Sequence, residues 1–207
     1  MTHRKEPTAL EWFERAYIAA DLDEKFRCYD FAIRLDPSNS NLYNNRGVTR
    51  WDKGDVEGAL KDYAEAICLK PDFAIAYNNR GNMCMDNGNL NEALTDFNEA
   101  IRLKPEFAAA YNNRGLVHIE EGNLGAALYD FNEAIRIQPG FSNPYFNRAM
   151  VWERKGDYIA IINDYHKYLG LGGGICNENQ ERIEKKILYF REILKHRFSQ
   201  NRRVVIL

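Results

Sequence analysis

Apolar and polar positions along this chain repeat every 34 residues, a period marked without drift by Pro37, Pro71, Pro105 and Pro139. Ahead of each proline after the first stand a small residue, an aromatic and a second small residue: Ala59, Tyr63 and Ala66, then Ala93, Phe97 and Ala100, then Ala127, Phe131 and Ala134. Tyr165 holds the aromatic place once more. Polar punctuation precedes them at Gly54-Asp55, Gly88-Asn89, Gly122-Asn123 and Gly156-Asp157. These residue types predict two helices per unit. Asp or Asn after the glycine accepts backbone N–H bonds at the start of the second helix, and proline, lacking a donor and restricting the residue before it, ends that helix. Glycine and alanine let neighbouring helices approach closely while the aromatic fills the space between them. No unit can bury its apolar face alone, so units must stack around a continuous core.

Each unit opens on a second signature. Tyr43-Asn44-Asn45-Arg46-Gly47 recurs as Tyr77-Asn78-Asn79-Arg80-Gly81 and Tyr111-Asn112-Asn113-Arg114-Gly115, and more loosely as Tyr145-Phe146-Asn147-Arg148-Ala149. With the glycine, alanine, aromatic and proline positions in register, residues 6–175 resemble the tetratricopeptide repeat family. The resemblance implies an all-α, right-handed α-solenoid of five helix-turn-helix units at about 6–39, 40–73, 74–107, 108–141 and 142–175, within a single domain. Its concave surface would be lined by the first helices. The first unit keeps Tyr29, Ala32, Leu35 and Pro37 but has Trp12-Phe13 in place of Arg-Gly, and the last replaces small residues by Ile161 and Tyr168 and the proline by Gly173. Both ends therefore read as caps of a complete array.

After Gly172-Gly173-Gly174 the spacing of Ile183, Ile187, Phe190, Leu194 and Phe198 predicts an amphipathic helix over 177–198 that covers the end of the solenoid, with Glu181 and Lys185 placed as an i,i+4 pair. Residues 199–207 read as a basic and apolar tail.

Composition narrows the function. At 207 residues and 45% hydrophobic the chain can build a sizeable core. Met1-Thr2-His3-Arg4-Lys5 is followed by no apolar run, so neither a signal peptide nor a membrane span is expected. Cys28, Cys68, Cys84 and Cys176 lack metal-like spacing, which points to free thiols in a reducing, cytoplasmic setting. His3, His118, His166 and His196 are scattered. His118 shares a register position with Arg50, Cys84 and Trp152, which suits packing. No catalytic, metal or cofactor constellation emerges, and the glycines at 170–174 lack the strand and Lys-Ser/Thr of a phosphate loop. Residues 177–207 carry eight Lys/Arg and four Asp/Glu, a net +4, leaving −6 on residues 1–176. Lys195, Arg197, Arg202 and Arg203 without interleaved aromatics beyond Phe198 read as a solvated tail, so nucleic-acid binding is not expected.

Two polar patterns remain. Arg46, Arg80, Arg114 and Arg148 each have an aspartate sixteen residues later, Asp62, Asp96, Asp130 and Asp164, whereas the first unit has Trp12 and Cys28 at the matching places. The pair appears or vanishes together, which predicts a partly buried, bidentate bridge from first helix to second. The asparagines are different: Asn is a poor helix former, about 0.6 kcal/mol worse than Ala, yet it recurs in pairs.

Helical spacing puts Asn45, Val48 and Asp52 on one face, with Asn79, Asn82 and Asp86, and Asn113, Leu116 and Glu120, at the same places in later units. Asn45, Asn79, Asn113 and Asn147 could hydrogen-bond an extended peptide backbone irrespective of its sequence. Trp51, Met85, Ile119, Leu116, Phe146 and Met150 would add selectivity, and Asp52, Asp86 and Glu120 would favour a neutral or basic ligand. The ladder resembles that of the repeat array in O-linked N-acetylglucosamine transferases, although no catalytic domain follows here. The alternative is that the asparagines bond adjacent helices to each other. Chaperone-binding members of the family clamp an acidic peptide terminus with Lys, Asn and Arg; Asn82 and Asn113 match their asparagines, but Asn78 and Asn147 stand where cations are needed, so that ligand is not expected. The expectation is a non-enzymatic interaction scaffold binding a peptide or partner segment, with self-association through the groove and the C-terminal segment as the alternative.

Overall fold

Each 34-residue unit folds as a pair of helices whose boundaries follow from its punctuation. The computed structural model describes the backbone of residues 6–174 and 177–204 and the side chains of 6–174 and 179–197. These residues form α1 (Ala9–Ile18), α2 (Leu22–Leu35), α3 (Ser40–Asp52), α4 (Val56–Leu69), α5 (Ala74–Asp86), α6 (Leu90–Leu103), α7 (Ala108–Glu120), α8 (Leu124–Ile137), α9 (Ser142–Lys155), α10 (Tyr158–Gly170) and α11 (Asn177–Val204). Consecutive helices from α1 to α10 pack as five pairs.

Gly54, Gly88, Gly122 and Gly156 turn the chain between the two helices of a pair with φ of 73–81°, a region that favours glycine. The following residue then caps the second helix: Asp55 accepts from the Gly58 amide at 2.9 Å, Asn123 from Ala126 at 3.2 Å and Asp157 from Ala160 at 3.0 Å. Asn89, expected to do the same, makes no such bond. α2, α4, α6 and α8 all stop two residues before their proline. Tyr43 and Tyr145 return a hydroxyl to the carbonyls of Pro37 and Pro139, both at 3.2 Å.

Gly47, Gly81 and Gly115 mark where the paired helices meet most closely. A Cβ at these positions would lie 2.9 Å from Tyr63, 2.8 Å from Phe97 and 2.7 Å from Phe131. The glycine and the aromatic sixteen residues later therefore form one packing unit.

The chain has two compact units, Met1–Pro105 and Glu106–Leu207. In the first, α1 and α2 enclose Ala16, Cys28, Tyr29, Ala32 and Ile33 with Leu42 of α3. Trp12, at the place of the motif arginine, stacks on Phe31 at 4.8 Å, so an aromatic contact replaces the polar one. In the second, Ile183, Ile187 and Phe190 of α11 pack with Ala149, Ile161 and Tyr165. Phe190 stacks on Tyr158 at 5.6 Å, and Lys185 meets Glu181 at 2.6 Å. Gly173 stands where a Cβ would approach the Tyr168 ring to 2.2 Å.

α11 was expected to end at Phe198 and runs on to Val204. Ser199 to Arg203 contain neither Gly nor Pro, and Arg202-Arg203 suit the negative end of the helix dipole. Cys176, the Phe198 side chain and the apolar end Val205-Ile206-Leu207 lie outside the described residues.

Replacing Ile187, 3% exposed, by Ala is expected to cost about 2–4 kcal/mol. Leu188→Ala, at a side chain 59% exposed on the other side of α11, should cost less than about 0.5 kcal/mol. Urea unfolding of the two variants checks whether α11 is a cover whose inner face matters.

Candidate functional site

The motif arginines turn inward. Arg46, Arg80, Arg114 and Arg148 bridge to Asp62, Asp96, Asp130 and Asp164 through two N–H···O bonds each, Nε to Oδ2 at 2.8–2.9 Å and Nη2 to Oδ1 at 2.6–2.7 Å. The aspartates are 1–5% exposed. Each guanidinium also lies 5.5–5.7 Å over the tyrosine three residues earlier, which orients it for its partner. The hydrogen bond to aspartate raises Arg80 and Arg114 above the usual arginine value, against the opposing pull of burial. Arg46 also reaches Asp30 at 3.0 Å, and Arg148 reaches Asn132 at 2.5 Å. Arg50 and His118, at one register position, approach the same buried carboxylates, Asp62 at 3.1 Å and Asp130 at 3.8 Å.

The paired asparagines divide the work between them. In the first unit Asn79 of α5 donates to Asn44 of α3 at 3.0 Å, and Asn44 donates to Asn45 at 3.1 Å. In the second, Asn147 of α9 donates to Asn112 of α7 at 2.8 Å, and Asn112 to Asn113 at 3.2 Å. Asn44, Asn78 and Asn112 are buried. Asn44 and Asn112 thus each tie one first helix to the next within their unit, the alternative left open by the sequence, and this accounts for Asn at those places where Ala would make a better helix.

In the first unit Asn45, Asn79, Asn82, Trp51 and Met85 are half-buried, and Asp52 and Asp86 are exposed. Asn45 lines a cavity of about 480 Å³ with Leu42, Phe13 and Leu10. Asn82 Oδ1 and the Tyr63 hydroxyl are buried with no hydrogen-bond partner among the described residues. Burial, then the charges of Asp52 and Asp62, pushes the Tyr63 phenol well above its ordinary value.

In the second unit Asn113 and Leu116 are half-buried and Glu120 is exposed. Two residues expected on the ligand face stand differently. Ile119 is 4% exposed, packed with Ala127, Phe131 and Val151, and Asn147 is 8% exposed. Helix-to-helix packing takes both surfaces.

One cluster escaped the sequence reading: Glu153 and Arg154 of α9 with Arg182 and Lys186 of α11, around a cavity that Phe146 and Met150 also line. A signal was present, since Arg154 occupies the register of Asp52, Asp86 and Glu120 with the opposite charge. Among the described residues no three His, Cys, Asp or Glu side chains gather to hold a metal ion, and no helix is long and apolar enough to cross a membrane.

Family models described as TPR repeat match residues 49–83 and 81–122, and one described as tetratricopeptide repeat matches 108–141. The chain is a tetratricopeptide repeat protein. Its fold is that of an all-helical α-solenoid. Among solved structures, this tetratricopeptide repeat chain is 26% identical to MamA, with 80% of this chain and 92% of that one covered at a TM-score of 0.63. PilF of Pseudomonas aeruginosa, 18% identical, shares the fold over 92% of this chain and 89% of its own at a TM-score of 0.71. YrrB, described as a TPR protein with an unusual peptide-binding site, is 18% identical, with 86% and 92% covered at 0.61. Tetratricopeptide repeat proteins are protein-interaction scaffolds, and this chain is one of them.

Breaking Arg80–Asp96 is expected to destabilise the protein by about 1–3 kcal/mol, with a coupling of similar size in a double-mutant cycle. Asp62→Asn should cost more than Asp96→Asn, because Asp62 meets Arg50 as well as Arg46. Chemical denaturation of the single and double variants reads both.

Proposed function

We propose that the face formed by the first helices binds an extended segment of a partner protein, neutral or basic in charge, and that the chain acts as a non-enzymatic scaffold without a cofactor. The observation that carries this reading is the occupation of all four motif arginines by buried aspartates. With those cations turned inward, the α3 and α5 face of the first unit carries amides, Trp51, Met85, Asp52 and Asp86, and the α7 face of the second carries Asn113, Leu116 and Glu120.

An amide has two N–H donors and an oxygen with two lone pairs. One bond to a neighbouring amide therefore leaves capacity at Asn45 and Asn79 for a peptide backbone, and Asn82 on the same helix face has a buried carbonyl oxygen without a hydrogen-bond partner among the described residues. The exposed carboxylates steer a cation and repel an acidic segment. The peptide-binding site attributed to YrrB supports a peptide ligand for this fold. A cytoplasmic setting suits the free thiols of Cys28, Cys68 and Cys84. The alternative is structural self-association through the groove and the C-terminal segment, whose apolar end lies outside the described residues.

The test uses fluorescence anisotropy with a set of labelled fifteen-residue peptides graded in net charge. Asn45→Ala with Asn113→Ala should weaken the peptides that bind by about tenfold or more, equivalent to about 1.4 kcal/mol, while circular dichroism shows the helices retained. Asp52→Asn, Asp86→Asn and Glu120→Gln together should weaken basic peptides most, and binding should fall as salt rises, with screening over about 10 Å at 0.1 M. Unchanged affinity in the asparagine variant, or a preference for acidic peptides at Asp52 and Asp86, would overturn the reading.

A further inference from the structure

At the C-terminal end of the second unit the charge of the face reverses. Asp52, Asp86 and Glu120 recur at one helical register, and the fourth residue of that series is Arg154. Arg154 borders a cavity of about 520 Å³ between α9 and α11, together with Phe146, Met150, Glu153, Arg182 and Lys186. Three cations thus face one carboxylate, and the carboxylate is occupied. Lys186 Nζ donates to both oxygens of Glu153, at 2.7 and 3.0 Å, and the Tyr165 hydroxyl donates to the same group. Arg154 gives one N–H to the Ile119 carbonyl at 3.2 Å and has no ion pair among the described residues. Arg182 has neither a hydrogen bond nor an ion pair among them.

We propose that this cavity binds a peptide carboxylate flanked by an apolar side chain. Two guanidinium groups without ion pairs supply several N–H donors in the planar geometry that carboxylates match. The apolar part of the ligand rests on Phe146, held in place by rings of Tyr165 and Tyr168 at 5.9 and 5.2 Å, and on Met150, whose flexible thioether adapts to varied side chains. Glu153 does not repel the ligand, because Lys186 and Tyr165 neutralise and hold it. The site depends on α11, outside the repeats, and its lining includes none of the residues Asn78, Asn82, Asn113 and Asn147 that stand at the clamp positions of chaperone-binding members of the family. The inference rests on the peptide-binding reading of the face and adds a polarity to it: an acidic or terminal group of the ligand belongs at α9 and α11.

Side-chain and backbone amide NMR of the full chain, titrated with three N-acetylated tetrapeptides, tests this. One ends in leucine with a free carboxylate, the second is its C-terminal amide, and the third is an amide with aspartate before the leucine. Saturable shifts at Phe146, Met150, Arg154 and Arg182 are expected with the first or third peptide, at an affinity about tenfold above that for the second. The first alone responding identifies a chain terminus, and the third an acidic side chain. Arg182→Gln should abolish the preference while thermal unfolding stays unchanged, and Arg182→Lys should restore part of it. Equal affinity for the neutral amide, persistence of the preference in Arg182→Gln, or no saturable shifts at these residues at millimolar peptide would overturn the proposal. Equal binding of all three peptides would do so while leaving the peptide-binding face intact.

Discussion

The buried arginine–aspartate bridge decides what every other polar residue of the first helices can do. A guanidinium on a first helix is the group best suited to capture an anion from solvent, and here it is held by two hydrogen bonds to a carboxylate that water hardly reaches. Removing either member would leave the other charge buried without compensation, which is far costlier than the pair is favourable. The bridge therefore fixes the relation of the two helices. The neighbouring glycine then lets the aromatic ring close the gap: Gly81 and Phe97 meet one residue on from Arg80 and Asp96. Polar bridge and apolar contact are adjacent in both helices, so geometry set by one is used by the other.

A second consequence appears in the asparagines. With the arginine turned inward, the neighbours of the motif are the residues that link successive first helices, and the relay from Asn79 through Asn44 to Asn45 repeats from Asn147 through Asn112 to Asn113. The same side chains shape both the stacking and the proposed ligand face. A ligand that bonds them acts on an already ordered row of amides and loses little to side-chain ordering.

Much of this was legible in the sequence because repetition supplies comparisons that a single copy cannot. The loss of both members of the Arg–Asp pair in the first unit pointed to contact between them, and the structure has the four remaining pairs at hydrogen-bonding distance. The helix ends followed from glycine and proline, whose backbone restrictions act locally. Other features depend on tertiary distance. That Asn44 would face Asn79 while Asn45 receives a bond from its own neighbour is a matter of rotamer and helix separation, which spacing alone does not encode. The burial of Ile119 beneath Val151 and Phe131 depends on how α7 meets its neighbours. The cationic cavity joins residues about thirty positions apart on α9 and α11; only the changed charge at Arg154 betrayed it. The extra turn and a half of α11 beyond Phe198 was missed because the apolar pattern stops there while the helix, meeting no Gly or Pro, does not.

The central claim is a division of labour: arginines hold the fold, and amides on the same helices meet the ligand. One side-chain ¹H–¹⁵N spectrum, recorded before and after addition of a bound peptide, observes both groups at once. The account predicts that the Nε–H signals of Arg46, Arg80, Arg114 and Arg148 stay in place and exchange slowly with solvent, while the amide signals of Asn45, Asn79 and Asn113 shift. Arginine signals that move with the peptide while the asparagine signals remain fixed would contradict it.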